Sequence, residues 1–102
     1  MALTINQKKF LRGLAHHLNP VILVGGKGIT EGLLAELDST LSHHELVKIK
    51  INAGDRDDRK AAIEEMVAAT GAELVQTIGK VCVLYRPNPD KKPADRIQLP
   101  KN

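Results

Sequence analysis

Aromatic side chains are almost missing from this 102-residue chain: Phe10 and Tyr85 are the only two, and there is no tryptophan. Folds that read single-stranded bases by stacking need two or three exposed rings. A ring platform is therefore excluded, and Phe10, on an apolar helical face, is assigned to the core. Cysteine is nearly as scarce. The single Cys82 lies in the apolar run Val81-Cys82-Val83-Leu84, which excludes an internal disulfide and reads as a packed thiol. No run approaches the roughly 18 apolar residues of a membrane span, and the segment from Met1 to Lys9 lacks the apolar core of a signal peptide. A cytoplasmic protein without membrane association is expected. Acidic residues are absent from Thr4 through Asn19, although the whole chain carries 12 Asp and Glu against 15 Lys and Arg.

What is present fits one soluble domain. Hydrophobic residues make up 42% of the chain, the formal net charge is +3 and the pI is near 9.2. That length buries one core and leaves little room for a second lobe. The charge gives a modest attraction to polyanions. The run Val21-Ile22-Leu23-Val24 empties into Gly25-Gly26-Lys27-Gly28 just before a helix expected to begin near Ile29. Such a junction can hold phosphate, because glycines allow close backbone approach and the helix start presents amide hydrogens. Lys27 adds a mobile charge. The competing reading is a glycine-rich corner and nothing more.

Two nucleotide motifs are excluded at this loop. A Walker A sequence counted back from Gly26-Lys27 needs glycine where Val21 stands, and Lys27 is followed by Gly28. A dinucleotide fingerprint starting at Gly26 needs its third glycine where Glu31 stands. What remains is G-x-x-G, similar to the loop that clamps backbone nucleotides in KH domains.

Periodicity orders the elements. Thr4 with Gln7 forms a capping box, and Phe10, Leu11, Leu14, Ala15 and Leu18 recur at helical spacing up to Asn19-Pro20. Lys8, Lys9, Arg12 and His16 gather opposite that stripe, as a solvated face or a binding one. Ile29, Leu33, Leu34, Leu37 and Leu41 mark a second helix, closing near Ser42-His43-His44. Val47, Ile49 and Ile51 then alternate with Lys48 and Lys50 in a strand. A third helix, capped around Asp55, ends at Gly71. Ala72–Ile78 and Val81–Arg86 read as a hairpin through Gly79-Lys80, a type II′ turn. From Pro87 on, proline and charge predict a loose tail, so residues 1–87 are taken as the domain and 88–102 as a flexible tail. The class is α/β: order α-β-α-β-α-β-β, a four-stranded mixed sheet, helices mainly on one face, which would leave Lys48 and Lys50 on the other.

Several of these residues together resemble a known family: Gln7-Lys8, Leu11-Arg12-Gly13-Leu14-Ala15-His16-His17, the Gly25–Gly28 loop with Thr30-Glu31-Gly32, His43-His44-Glu45-Leu46-Val47-Lys48, Gly71-Ala72, and Ile78-Gly79-Lys80 before Leu84-Tyr85-Arg86-Pro87. From about Leu3 to Pro87 the chain is similar to stand-alone bacterial CRM domains, the RNA-binding module of chloroplast RNA splicing and ribosome maturation, of the YhbY type. The resemblance implies a fold similar to the C-terminal domain of bacterial translation initiation factor three. It also implies RNA binding through the G-x-x-G loop and association with precursor large ribosomal subunits. Carried over by position, Gly25, Gly26, Lys27 and Gly28 match the loop, and Lys8, Arg12 and His16 match the basic first helix. The chain departs from the family in one place: a basic or polar residue commonly follows the first glycine, and here that residue is Gly26.

Other polar clusters carry less. His16-His17 and His43-His44 invite zinc, yet adjacent histidines diverge by about 100° on a helix and no H-x-x-x-H spacing occurs. Asp55-Arg56-Asp57-Asp58 lacks the alternation of a calcium loop and reads as helix capping. A hydrolase built on His43 or His44 with Glu45 lacks a nucleophile in a recognisable setting. The expectation is thus a non-enzymatic, monomeric RNA-binding domain without cofactor, metal or small-molecule substrate. Its contacts would be Lys8, Lys9, Arg12, His16 and Gly25–Gly28, with Lys48, Lys50 and Arg86 as further candidates. The alternative is a protein-interaction module on ribosomal precursor particles, distinguishable by its salt response.

Overall fold

The computed structural model describes residues 2–102. Its elements follow the expected order: α1 (Ile5–Ala15), β1 (Ile22–Val24), α2 (Glu31–His44), β2 (Leu46–Ile51), α3 (Arg56–Thr70), β3 (Glu73–Ile78) and β4 (Val81–Tyr85), with a 3-10 turn at Pro93–Asp95. The α1 capping box is closed from both sides. Thr4 Oγ1 accepts from the Gln7 amide at 3.1 Å, and Gln7 Oε1 accepts from the Thr4 amide at 3.0 Å. The helix ends at Ala15, three residues short of Leu18, the last residue of the expected stripe. There the Lys48 ammonium donates at 3.1 Å to the carbonyl of Ala15, which also accepts from the Leu18 amide, and at 3.2 Å to that of Leu18. Asp55 and Asp58 form the same reciprocal cap on α3, and the Asp58 amide holds the exposed Asp55 carboxyl below its ordinary pKa. In the hairpin Gly79 takes φ 54° and Lys80 does not share the positive region, as a II′ turn requires.

The sheet runs β1-β2-β4-β3. β1 pairs with β2 in parallel, and β4 is antiparallel to both β2 and β3. Val47, Ile49 and Ile51 of β2, with Cys82 and Leu84 of β4, face α2 and α3. This is the larger core, closed by Leu37, Leu41, Ile63 and Met66. α1 lies on the other face, where Leu11 and Ala15 pack on Leu46, Val75, Val83 and Tyr85. Two of the three helices therefore share one face, as expected, and α1 covers only part of the face that carries Lys48 and Lys50.

Cys82 is fully buried between these layers, and burial pushes its thiol up to about 12. Since the thiolate is the reactive form, Cys82 is expected to resist alkylation by iodoacetamide at pH 8 in the native protein and to react at the rate of a free thiol in 6 M guanidinium. Rapid native modification would contradict this packing.

The chain after Pro87 corrects the expectation of a loose tail. Ile97 and Leu99 pack against the smaller core, and the segment is tied down by Glu45, the one buried charged residue among those described. The Glu45 carboxylate accepts from the amides of Asn88 and Ile97, both at 2.7 Å. Asn88 Nδ2 and Lys91 Nζ donate to the last carbonyls of α2, those of Ser42 and His43, and Gln7 Nε2 reaches the Pro100 carbonyl at 2.9 Å. The prolines and charges of 87–93 form a bridge between anchored ends. Burial, with the Glu45 carboxylate nearby, also pushes the Tyr85 hydroxyl above its ordinary range.

Candidate nucleic-acid interface

β1 delivers the glycine loop to one end of the sheet. The Gly28 amide donates to the Gly25 carbonyl at 3.0 Å, closing a tight turn, and Gly28 sits at φ 69°. That conformation explains Gly28. It does not explain Gly25 and Gly26, whose φ values are ordinary and where an added Cβ would meet nothing within 4 Å. The fold itself makes no steric demand for glycine at these two positions. Among the described residues the amides of Gly26 and Lys27 have no protein acceptor, and Lys27 is exposed. An anion approaching this turn would meet free donors, a cation and no side chain in the way.

The helix behind the loop contributes less than expected. It begins at Glu31 and not near Ile29. Thr30 caps it, its hydroxyl accepting from the Leu33 amide at 3.1 Å, and the Glu31 carboxylate occupies the first turn. Both compete with an incoming anion for the helix dipole. The donors left without a protein acceptor at this end of the sheet are those of the turn, beside the exposed Lys27.

Lys9, Arg12 and His16 are exposed along α1, and Lys8 is half-buried. The one side-chain ion pair among the described residues joins Arg86 to Asp38, so the cations of α1 and Lys27 are not neutralised within the fold. Of the further candidates, Lys50 is exposed on β2, but Lys48 and Arg86 are committed elsewhere. Lys48 caps α1. Arg86 is clamped on the α2–α3 side: its two terminal nitrogens donate to Asp38 Oδ1 at 2.6 Å and to the Thr70 carbonyl, the Asp38 carbonyl and Ser42 Oγ at 2.9 Å each. Sequence reading treated both as free cations because nothing local announces a partner about 30 to 48 residues away.

It also passed over Lys80. The Ile51 amide donates to the Lys80 carbonyl at 2.7 Å and the Asn52 amide to the Val24 carbonyl at 2.8 Å. The hairpin turn and the start of the glycine loop thus flank the end of β2, a neighbourhood that only the sheet register reveals. His43 Nδ1 lies 3.2 Å from the Ser39 carbonyl, and no group of three or more His, Cys, Asp or Glu among the described residues is placed to hold a metal ion.

With the fold and this geometry in place, comparison with known proteins is decisive at the family level. A model of the CRS1/YhbY (CRM) domain matches residues 3–86. The chain belongs to this family. The chain is 52% identical over 99 residues to a Haemophilus influenzae protein named as an RNA-binding protein, spanning 97% of this chain and 96% of that one. It is 36% identical over 98 residues to a protein of Bacillus subtilis, named a probable RNA-binding protein, across 96% and 99% of the two chains. The solution structure of a hypothetical protein from Staphylococcus aureus has the same architecture, with a TM-score of 0.80 at 39% identity over 97% of this chain and 100% of that one. The matched stretch contains the loop, the basic helix and Glu45; the two amides that Glu45 holds, Asn88 and Ile97, lie beyond it.

Proposed function

We propose that this CRM domain binds structured RNA, specifically ribosomal RNA in precursor large subunits, as a non-enzymatic assembly factor in the cytoplasm. The turn amides and Lys27 take one phosphate, and Lys8, Lys9, Arg12 and His16 extend the track along α1. The observation that carries this reading is the pair Gly25 and Gly26, small residues at positions where the fold has room for larger ones. A phosphate backbone pressed against the turn would use that space. The names of the relatives support RNA as the ligand class.

The test is Gly26→Ala, measured with a labelled structured fragment of large-subunit ribosomal RNA. An alanine fits the backbone there and is expected to leave the urea midpoint unchanged, while its methyl group stands between the turn and a phosphate and lowers affinity roughly tenfold. Wild-type affinity itself should fall with salt, by about 0.7 to 0.9 log units per log unit of salt for each phosphate contacted. Unchanged affinity in the variant would leave the loop a corner. Absent or salt-insensitive RNA binding would move the search to a protein partner on the precursor particle.

A further inference from the structure

α1 covers its face of the sheet only in part. Leu11 and Ala15 pack on Leu46, Val75, Val83 and Tyr85, and the next row on the same face is left largely open, with only Val81 half-buried. That row crosses all four strands: Leu23 is the register partner of Lys50, Lys50 of Val81, and Val81 of Ile78. Leu23 is 60% and Ile78 63% exposed. Three strand spacings of about 4.8 Å make the row about 14 Å wide. Three aliphatic side chains around one lysine, with the two outermost more than half exposed, form a surface that a ligand with apolar faces could cover.

The borders of the row point to the occupant. Lys27 stands in the loop that leaves β1 just after Leu23, and Lys80 forms the turn next to Ile78. Leu14 and His17 line a hollow with His44, Leu46 and Ile97 at the other end of the sheet. At 100° per residue, the opposite flank of α1, bearing Lys8, Arg12 and His16, therefore turns toward the open row. No acidic residue belongs to the row, and Lys50 stands in its middle. An apolar strip framed by cations matches a ligand with flat apolar faces on an anionic backbone.

We propose that the Leu23–Lys50–Val81–Ile78 row is a seat for unpaired nucleobases, held while the loop and the flanking cations grip the adjoining phosphates. The proposal rests on the RNA-binding reading above and adds what that reading lacks, a means of telling unpaired from paired RNA. A duplex hides its base faces in the stack and cannot use the row. An unpaired base can lay one face against Leu23, Val81 or Ile78 and lose that apolar surface from water. Aliphatic side chains take the part that rings play in stacking platforms, with no preference for base identity.

The experiment compares two RNAs of equal phosphate number, one a stem closed by an unpaired loop and the other fully paired, against wild type and Leu23→Thr/Ile78→Thr. Both substituted side chains are exposed and threonine suits a strand. Wild type is expected to favour the looped RNA roughly tenfold, and the double variant to lose that margin while keeping its affinity for the duplex and its salt slope. A 2-aminopurine placed in the RNA loop supplies a readout independent of any variant: its fluorescence should change on binding wild type and stay constant with duplex competitor bound. Equal wild-type affinity for both RNAs, or a margin that survives the double substitution, overturns the proposal; the same result would follow if an acidic protein segment were the true occupant. Failure to bind either RNA would instead overturn the RNA-binding reading itself.

Discussion

Glu45→Ala is expected to destabilise the protein by about 3 to 5 kcal/mol and to detach residues 87–102. The carboxylate holds two half-buried backbone amides at 2.7 Å, and hydrogen bonds to a charged group contribute about 1.5 to 3 kcal/mol each, with a further cost when donors are left unpaired. A domain of this size has only about 5 to 15 kcal/mol of stability in all. Burying the carboxylate is itself expensive, so the figure is the cost of truncation and not the net worth of the interaction. Glu45→Gln separates the two: it keeps the shape but turns an amide NH2 toward one of the donors, and should recover about half of the loss. Urea unfolding gives the magnitude, and hydrogen exchange at the Ile97 amide gives the location. A loss under 1 kcal/mol with Ile97 still protected would show that Ile97 and Leu99 packing and the Asn88, Lys91 and Gln7 hydrogen bonds hold the segment without the carboxylate.

The second large effect concerns RNA. Lys8→Ala, Arg12→Ala and Lys27→Ala combined should lower affinity for the ribosomal RNA fragment roughly 100-fold at low salt, with each lost phosphate contact worth about 1 kcal/mol or more. The salt slope should flatten by about three units, one for each cation. None of the three side chains takes part in an ion pair within the described residues, so the urea midpoint should hold. A slope that does not change would remove these residues from the interface even if affinity fell. Intermediate flattening, followed by the single variants, would say which cations touch phosphate.

Much of this architecture is legible from residue order. Helix stripes, the Thr4 capping box, the Asp55 cap, the II′ hairpin and the glycine turn are local patterns, decided within a few residues of themselves. The larger misses are non-local. Strand order depends on β4 entering between β2 and β3, which alternation cannot express. Lys48 and Arg86 resemble solvent cations until helix ends carried by other elements come within reach. Glu45 reads as an ordinary acidic residue after two histidines, because the amides that justify its burial arrive 43 and 52 positions later. The proline-rich stretch misled for a related reason: composition reports on the bridge and not on the apolar residues beyond it. For the proposed interface, the loop and the basic helix are visible in the sequence, whereas Lys80 and the open row need the register.

The strand order also bears on which part of the molecule yields first. β3 and β4 are joined by two residues and can pair early, while β2 joins β4 only after the α3 connection has closed, at a higher entropic cost. β1 is three residues long and has a neighbour on one side only. Short, singly paired edges occupy the low end of the range of local opening energies. The glycine turn therefore hangs from the strand with the least anchorage, and can shift while the centre of the sheet keeps its pairing.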